Sequence, residues 1–256
     1  MKVLSKLLEV LVAEMNRTAE TVGVEAVHDL RVSVRRASEG LRIFGDQVKH
    51  ARRLRREIGP IREMAAAVRD RDVTRQLLRR NRLPAGDPAC IYLQGQRDLA
   101  ASQLQEFLRS QLREDRPRRL VALSGEVSAK LEPLVTTFFS AGRSAAASGK
   151  AQDLHAFRIR AKRLRYTIEI LDPEGGGEWL ARLRNVQQKL GDMNDAFVAE
   201  QYLRALPIRS ALARPLAARL RAEADAHCAA FGKTWRRRFG ERTEEAWLAW
   251  ARSVEP

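Results

Sequence analysis

Residues Val27–Phe44 read VHDLRVSVRRASEGLRIF, and residues Leu154–Leu171 read LHAFRIRAKRLRYTIEIL. Apolar residues recur in the first at Val27, Leu30, Val34, Ala37, Leu41 and Phe44, and in the second at Leu154, Phe157, Ala161, Leu164, Ile168 and Leu171. Steps of three and four residues are the period of a helix with one buried stripe. A second track lies roughly 100° round each helix. In the first it is His28, Arg31, Arg35, Ser38 and Arg42; in the second it is His155, Arg158, Lys162, Arg165 and Glu169. Each stretch therefore predicts a helix with a basic stripe beside its core stripe. At helical rise the run from His28 to Arg42 is about 21 Å long, a linear rail rather than a point site.

The two phrases are aligned by one offset. Sliding the chain by 127 residues puts His28 on His155, Arg31 on Arg158, Arg35 on Lys162, Arg36 on Arg163, and also Leu4 on Leu131. A slide of 125 puts Asp70 on Asp195 and Val73 on Val198. The chain thus reads as a duplication, and the expected architecture is one all-α domain over 1–256. Its halves would be a four-helix repeat over 1–114 and a second over 115–256 that carries an extra C-terminal helix. Punctuation sets helices at 2–20, 24–46, 48–82 with a kink or break near Gly59–Pro60, 88–113, 116–148, 151–171, 177–206, 208–231 and 241–253. Short linkers favour antiparallel neighbours, which is bundle geometry. If the two bundles pack about a pseudo-twofold axis, the rails line a basic central groove or pore suited to a long polyanion.

Composition agrees with this reading. The 256 residues are 45% hydrophobic and only 6% aromatic, with formal charge +15 and pI near 10.8. Such self-repulsion points to a polyanionic partner. Only eight of the 47 basic residues are Lys, and Arg suits bidentate grips on phosphate. Two cysteines, Cys90 and Cys228, form no CxxC and no disulfide framework, which suits a reducing cytoplasm; both are expected as small buried hydrophobes. MKVLSKLLEVLVAEMNR reads as an amphipathic helix on Leu4, Leu8, Leu11 and Met15 rather than a signal peptide, because Glu9 and Glu14 interrupt it. No run is long and apolar enough to span a membrane.

VHDLRVSVRR, LHAFRIRAKRLRY and the glycine-plus-acid segment KLGDMNDAFV resemble the CHAD family, the conserved-histidine α-helical domain. RDRDV in the first half also matches, although the leucine-glycine expected before it reads Ala65-Ala66. The resemblance implies two four-helix bundles related by internal symmetry and binding of inorganic polyphosphate, at polyphosphate granules and beside their proteins. Carried over by motif, it implies a site of His28, Arg31, Arg35 and Arg36 with His155, Arg158, Lys162, Arg163 and Arg165. Arg42 joins them from periodicity alone. The ExExK signature of the triphosphate-tunnel module that some relatives carry is missing, so the chain looks like the standalone binding domain.

Plainer roles compete for these residues. A histidine near a helix start is commonly a cap or core residue, and charge on a helix face is commonly solvated. Arg36 and Arg163 project further round and belong to a rim or to solvent. Asp70 and Asp195 are expected to cap a helix or pair with inward Arg, rather than hold metal or act as a base. ARRLRREIGPIR and KTWRRRFGER read as solvated charge, and Trp235, Trp247 and Trp250 as packing for the last helix. The expected function is non-enzymatic polyphosphate binding in the cytoplasm, with no catalytic residue, metal or cofactor and no membrane partner. Nucleic-acid binding is the alternative, opposed by rails that lack interleaved aromatics. A phosphohydrolase built on His28-Asp29 ranks third, since the second copy reads His155-Ala156.

Overall fold

A computed structural model describes residues 2–44, 51–113, 131–171 and 176–254. Among these residues the chain forms nine helices and no strand: α1 Lys2–Glu20, α2 Val24–Ile43, α3 Ala51–Arg80, α4 Pro88–Arg113, α5 Glu132–Ser148, α6 Ala151–Leu171, α7 Gly177–Arg204, α8 Ala213–Arg238 and α9 Glu241–Val254. The all-α expectation holds. None of the described helices is long and apolar enough to cross a membrane. The helices fall into two compact units, Met1–Val127 with Ala205–Ala213, and Ser128–Arg204 with Arg214–Pro256. The junction proposed at 114/115 lies outside the described residues.

Unit 1 closes α1 to α4 into a four-membered bundle, each helix packed on its sequence neighbour and α4 returning to α1. Its core follows the predicted stripes: Leu4, Leu8, Leu11 and Met15 of α1 and all six seam residues of α2 from Val27 to Phe44 are buried. Of the kink or break expected near Gly59–Pro60, the break does not occur, and α3 runs through Pro60 as one helix. Ile58 and Ile61 on either side are both buried, so their packing outweighs the backbone hydrogen bond that Pro60 cannot donate. α3 ends two residues early, in a Schellman turn. The Leu83 N–H donates to the Leu78 carbonyl and that of Arg82 to Arg79, with Arg82 left-handed at φ 57°. The segment 205–213 belongs to this unit. Asp87 accepts both the Ala89 N–H that opens α4, at 2.8 Å, and the Ser210 hydroxyl, at 3.0 Å.

Unit 2 is built on aromatic packing. Phe138 and Phe139 of α5, Phe157 of α6, Trp235 and Phe239 of α8 and Trp247 of α9 are all buried. Ring centroids of Phe138 lie 5.2 Å from Phe157, 5.6 Å from Trp235 and 5.5 Å from Trp247. The helix expected over 208–231 begins at Ala213, whose N–H the Ser210 hydroxyl accepts at 3.1 Å, and continues to Arg238. KTWRRRFGER is therefore not wholly solvated, because Trp235 and Phe239 within it are core while Arg236 and Arg237 face out. Trp247 and Trp235 pack as expected; Trp250 is half-buried, 5.8 Å from the Trp179 ring. Leu171 at the end of the α6 seam is also only half-buried. Cys228 is buried beside Met193, whereas Cys90 is half-exposed, which corrects the expectation that both are buried. Burial pushes both thiols above the ordinary cysteine range.

α5 and α8 meet through glycine. A Cβ on Gly142 would stand 2.0 Å from Cη2 of Trp235, inside any possible contact. Gly142→Ala should destabilise unit 2 by about 3 kcal/mol, since an indole held by five other rings has nowhere to move. A urea midpoint within error of the unsubstituted protein would show that the indole yields.

Candidate functional site

In unit 1 the basic track lies on α2, whose orientation is set by the six buried seam residues. His28 stands exposed at the start of the track, while Arg31 and Arg35 are half-buried, with their stems against the bundle. Arg31 is 20% exposed, and its Nη2 lies 3.4 Å from Oδ1 of Asp70 on α3. Asp70 thus pairs with an inward Arg, as its position in RDRDV suggested. The pair holds one edge of the guanidinium. Arg36 is exposed, on the outer side of the helix.

Arg42 departs from the reading made by period alone. Glu39, on the same helix but off the track, is buried and accepts from Arg42 Nε at 2.7 Å and Nη2 at 2.5 Å. The two residues are three apart, so the helix brings them together, and Arg42 reaches any ligand already neutralised. At the 127-residue offset Arg42 falls on Glu169, yet the unit 2 track ends in a similar pair. Arg165 donates to Glu169 at 3.2 Å and lies 4.6 Å over the buried Tyr166 ring. In both units the far end of the track is closed by an acid.

The rest of the unit 2 track lies on α6. His155 and Arg163 are exposed, and Arg158 and Lys162 are half-buried. His155 Nδ1 lies 2.9 Å from Oδ1 of Asn194 on α7, and the Asn194 amide donates to Asp195 at 3.4 Å. This short chain orients the imidazole. At an offset of 125 the first half carries Arg69 in place of Asn194. Among the described residues no carboxylate pairs with Arg35 or Arg163.

The His-Asp pair of α2 has another use. Asp29 accepts from Arg17 of α1 at 2.8 Å, and that hydrogen bond pushes the Arg17 guanidinium further up. Among the described residues no three His, Cys, Asp or Glu side chains come together at metal-binding distances.

Two features escaped the sequence. RDRDV contains a second aspartate, Asp72, which is buried and bound to Arg97 of α4; two aspartates two residues apart on a helix face different ways, and only one could meet α2. The run ARRLRREIGPIR is more than solvated charge. Arg52, Arg55, Arg56 and Arg62 line an open cleft of about 510 Å³ together with Ser38 of the α2 track. The signal was angular: at about 100° per residue these four fall within an arc of about 120°, next to the buried arc of Leu54, Ile58 and Ile61.

The CHAD domain family model matches residues 2–204, from α1 to the end of α7. In fold the chain is similar to PptA from Streptomyces chartreusis, at 20% identity and TM-score 0.60, covering 98% of each chain. It is also similar to the crystal structure of the CHAD domain from the plant Ricinus communis, at 22% identity and TM-score 0.58, covering 98% of this chain and 89% of that one. No curated protein matches the sequence. With a match over most of its length and the histidine-bearing helices α2 and α6 inside it, the chain belongs to the CHAD domain family.

Proposed function

We propose that this protein binds inorganic polyphosphate, without turning it over, through the basic faces of α2 and α6. The observation that carries the reading is the placement of the two tracks. Arg31 and Arg35, and Arg158 and Lys162, are each half-buried beside a core seam, so their stems are ordered before a ligand arrives. Pre-ordering lowers the entropic cost of gripping a flexible chain. Rows of cations at helical spacing match a polymer that carries one charge or more per phosphate. Base recognition lacks support, because the aromatics beside the tracks, Phe44 and Tyr166, are buried and offer no stacking surface. Polyphosphate granules and their proteins are the cellular setting this reading implies.

Competition on immobilised long-chain polyphosphate tests it. The protein should be retained, and RNA or DNA at equal phosphate concentration should displace only a minor fraction. Displacement as complete as with free polyphosphate would transfer the assignment to nucleic acid. Incubation with polyphosphate and divalent metal should release no orthophosphate; release abolished by Asp29→Ala would make the protein an enzyme.

A further inference from the structure

The cleft on α3 is left over once the α2 and α6 tracks are accounted for. Four guanidinium groups face one open volume of about 510 Å³, within the size range of small-ligand sites. Arg52, Arg55 and Arg56 are exposed, and among the described residues no carboxylate pairs with them. Of the neighbouring acids, Glu57 accepts from Arg53, outside the cleft, at 2.9 Å, while Glu63 lies 3.8 Å from Arg62, the fourth cleft arginine. Gathering cations without acids repels the folded state from itself, and a bound anion relieves that repulsion. Among the described residues the lining is four Arg and one Ser. It offers planar forks and one hydroxyl, which are donors for phosphate oxygens.

We infer that this cleft is a phosphate subsite of unit 1 that seats a short oligophosphate. Ser38 belongs both to the cleft and to the α2 track, so the cleft extends that track onto α3. A short free oligophosphate fits the cleft alone. A segment of a longer strand enters it from α2, and this second use rests on the polyphosphate reading above.

The test uses the full chain and two triple variants. Arg52→Ala/Arg55→Ala/Arg56→Ala empties the cleft of three exposed cations. Arg79→Ala/Arg80→Ala/Arg113→Ala removes the same charge from exposed helix ends outside it. Circular dichroism and a urea midpoint establish that both fold. Calorimetry with sodium tripolyphosphate should show the cleft variant weakened by about tenfold or more and the control by about twofold at most. With long-chain polyphosphate, the slope of log affinity against log salt should become shallower by about two in the cleft variant. Equal losses in the two variants would mean diffuse charge rather than a site, and no loss in the cleft variant would also overturn the inference. Failure of the unsubstituted chain to bind long polyphosphate would sink the proposed function alone, since a tripolyphosphate loss confined to the cleft variant would still assign the subsite.

Discussion

Raising salt from about 50 mM to about 200 mM should weaken long-chain polyphosphate binding by roughly 300-fold. The figure counts one phosphate contact for each cation of the proposed site on the two tracks alone: Arg31, Arg35 and Arg36 on α2 and Arg158, Lys162 and Arg163 on α6, with Arg42 and Arg165 set aside because Glu39 and Glu169 hold them. For a single strand each neutralised phosphate contributes about 0.7 to the slope of log affinity against log salt, so six contacts give a slope near 4. Arg35→Ala with Lys162→Ala should lower that slope by about 1.4 and weaken binding at low salt, with helical content unchanged. Arg42→Ala should leave the slope where it was, since its charge is already met within the helix. Titrations at four salt concentrations decide the matter. A slope below one would mean that the tracks do not grip phosphate, and a fall for Arg42→Ala equal to that for Arg35→Ala would mean that Glu39 yields its partner to the ligand.

Arg97→Ala should destabilise unit 1 by about 3–5 kcal/mol, the largest single-residue effect expected in the molecule. Asp72 is 2% exposed, and Arg97 Nε reaches its Oδ1 at 3.0 Å while Nη2 donates to the Val22 carbonyl at 2.8 Å. Arg97, itself 12% exposed, therefore ties α4 to α3 and to the turn between α1 and α2. Its removal strands a buried carboxylate, for which Arg75 at 3.8 Å is a poor substitute. A second variant separates stranded charge from lost packing. Asp72→Leu with Arg97→Met removes both charges and keeps most of the volume, and should recover the greater part of the loss. Urea unfolding followed by far-ultraviolet circular dichroism reads both. If the double variant is no more stable than Arg97→Ala, the loss lies in the packing of Arg97 and in its bond to Val22, and not in the charge of Asp72.

Much of the fold was legible because helical periodicity is a local property. The seams on α1 and α2 are buried as spaced, and seven of the nine described helices start within three residues of the expected positions, while residues 116–130 of the helix expected over 116–148 lie outside the described residues. The misreadings share a cause. Pro60 signals a break in any helix considered alone, but flanking isoleucines buried in the bundle keep α3 continuous. The start of α8 depends on Ser210, whose hydroxyl serves both Asp87, far away in sequence, and the Ala213 amide. Neither partner is visible from the residues around 208.

For the candidate site, the sequence alone determined that His28, Arg31 and Arg35, and His155, Arg158 and Lys162, stand beside core seams, because 3.6 residues per turn places them there whatever the helix packs against. It also determined the excess of Arg and the charge that calls for a polyanion. Which cations are free to meet that polyanion was decided by tertiary structure and by side-chain reach. Glu39 turns back on Arg42, Asp70 crosses from α3 to Arg31, Asn194 crosses from α7 to His155, and Ser38 joins the α3 arginines in one cleft. Charge along a chain is counted residue by residue, whereas its availability depends on which carboxylate lies within a few ångströms. Only the packing of one helix on the next sets that distance.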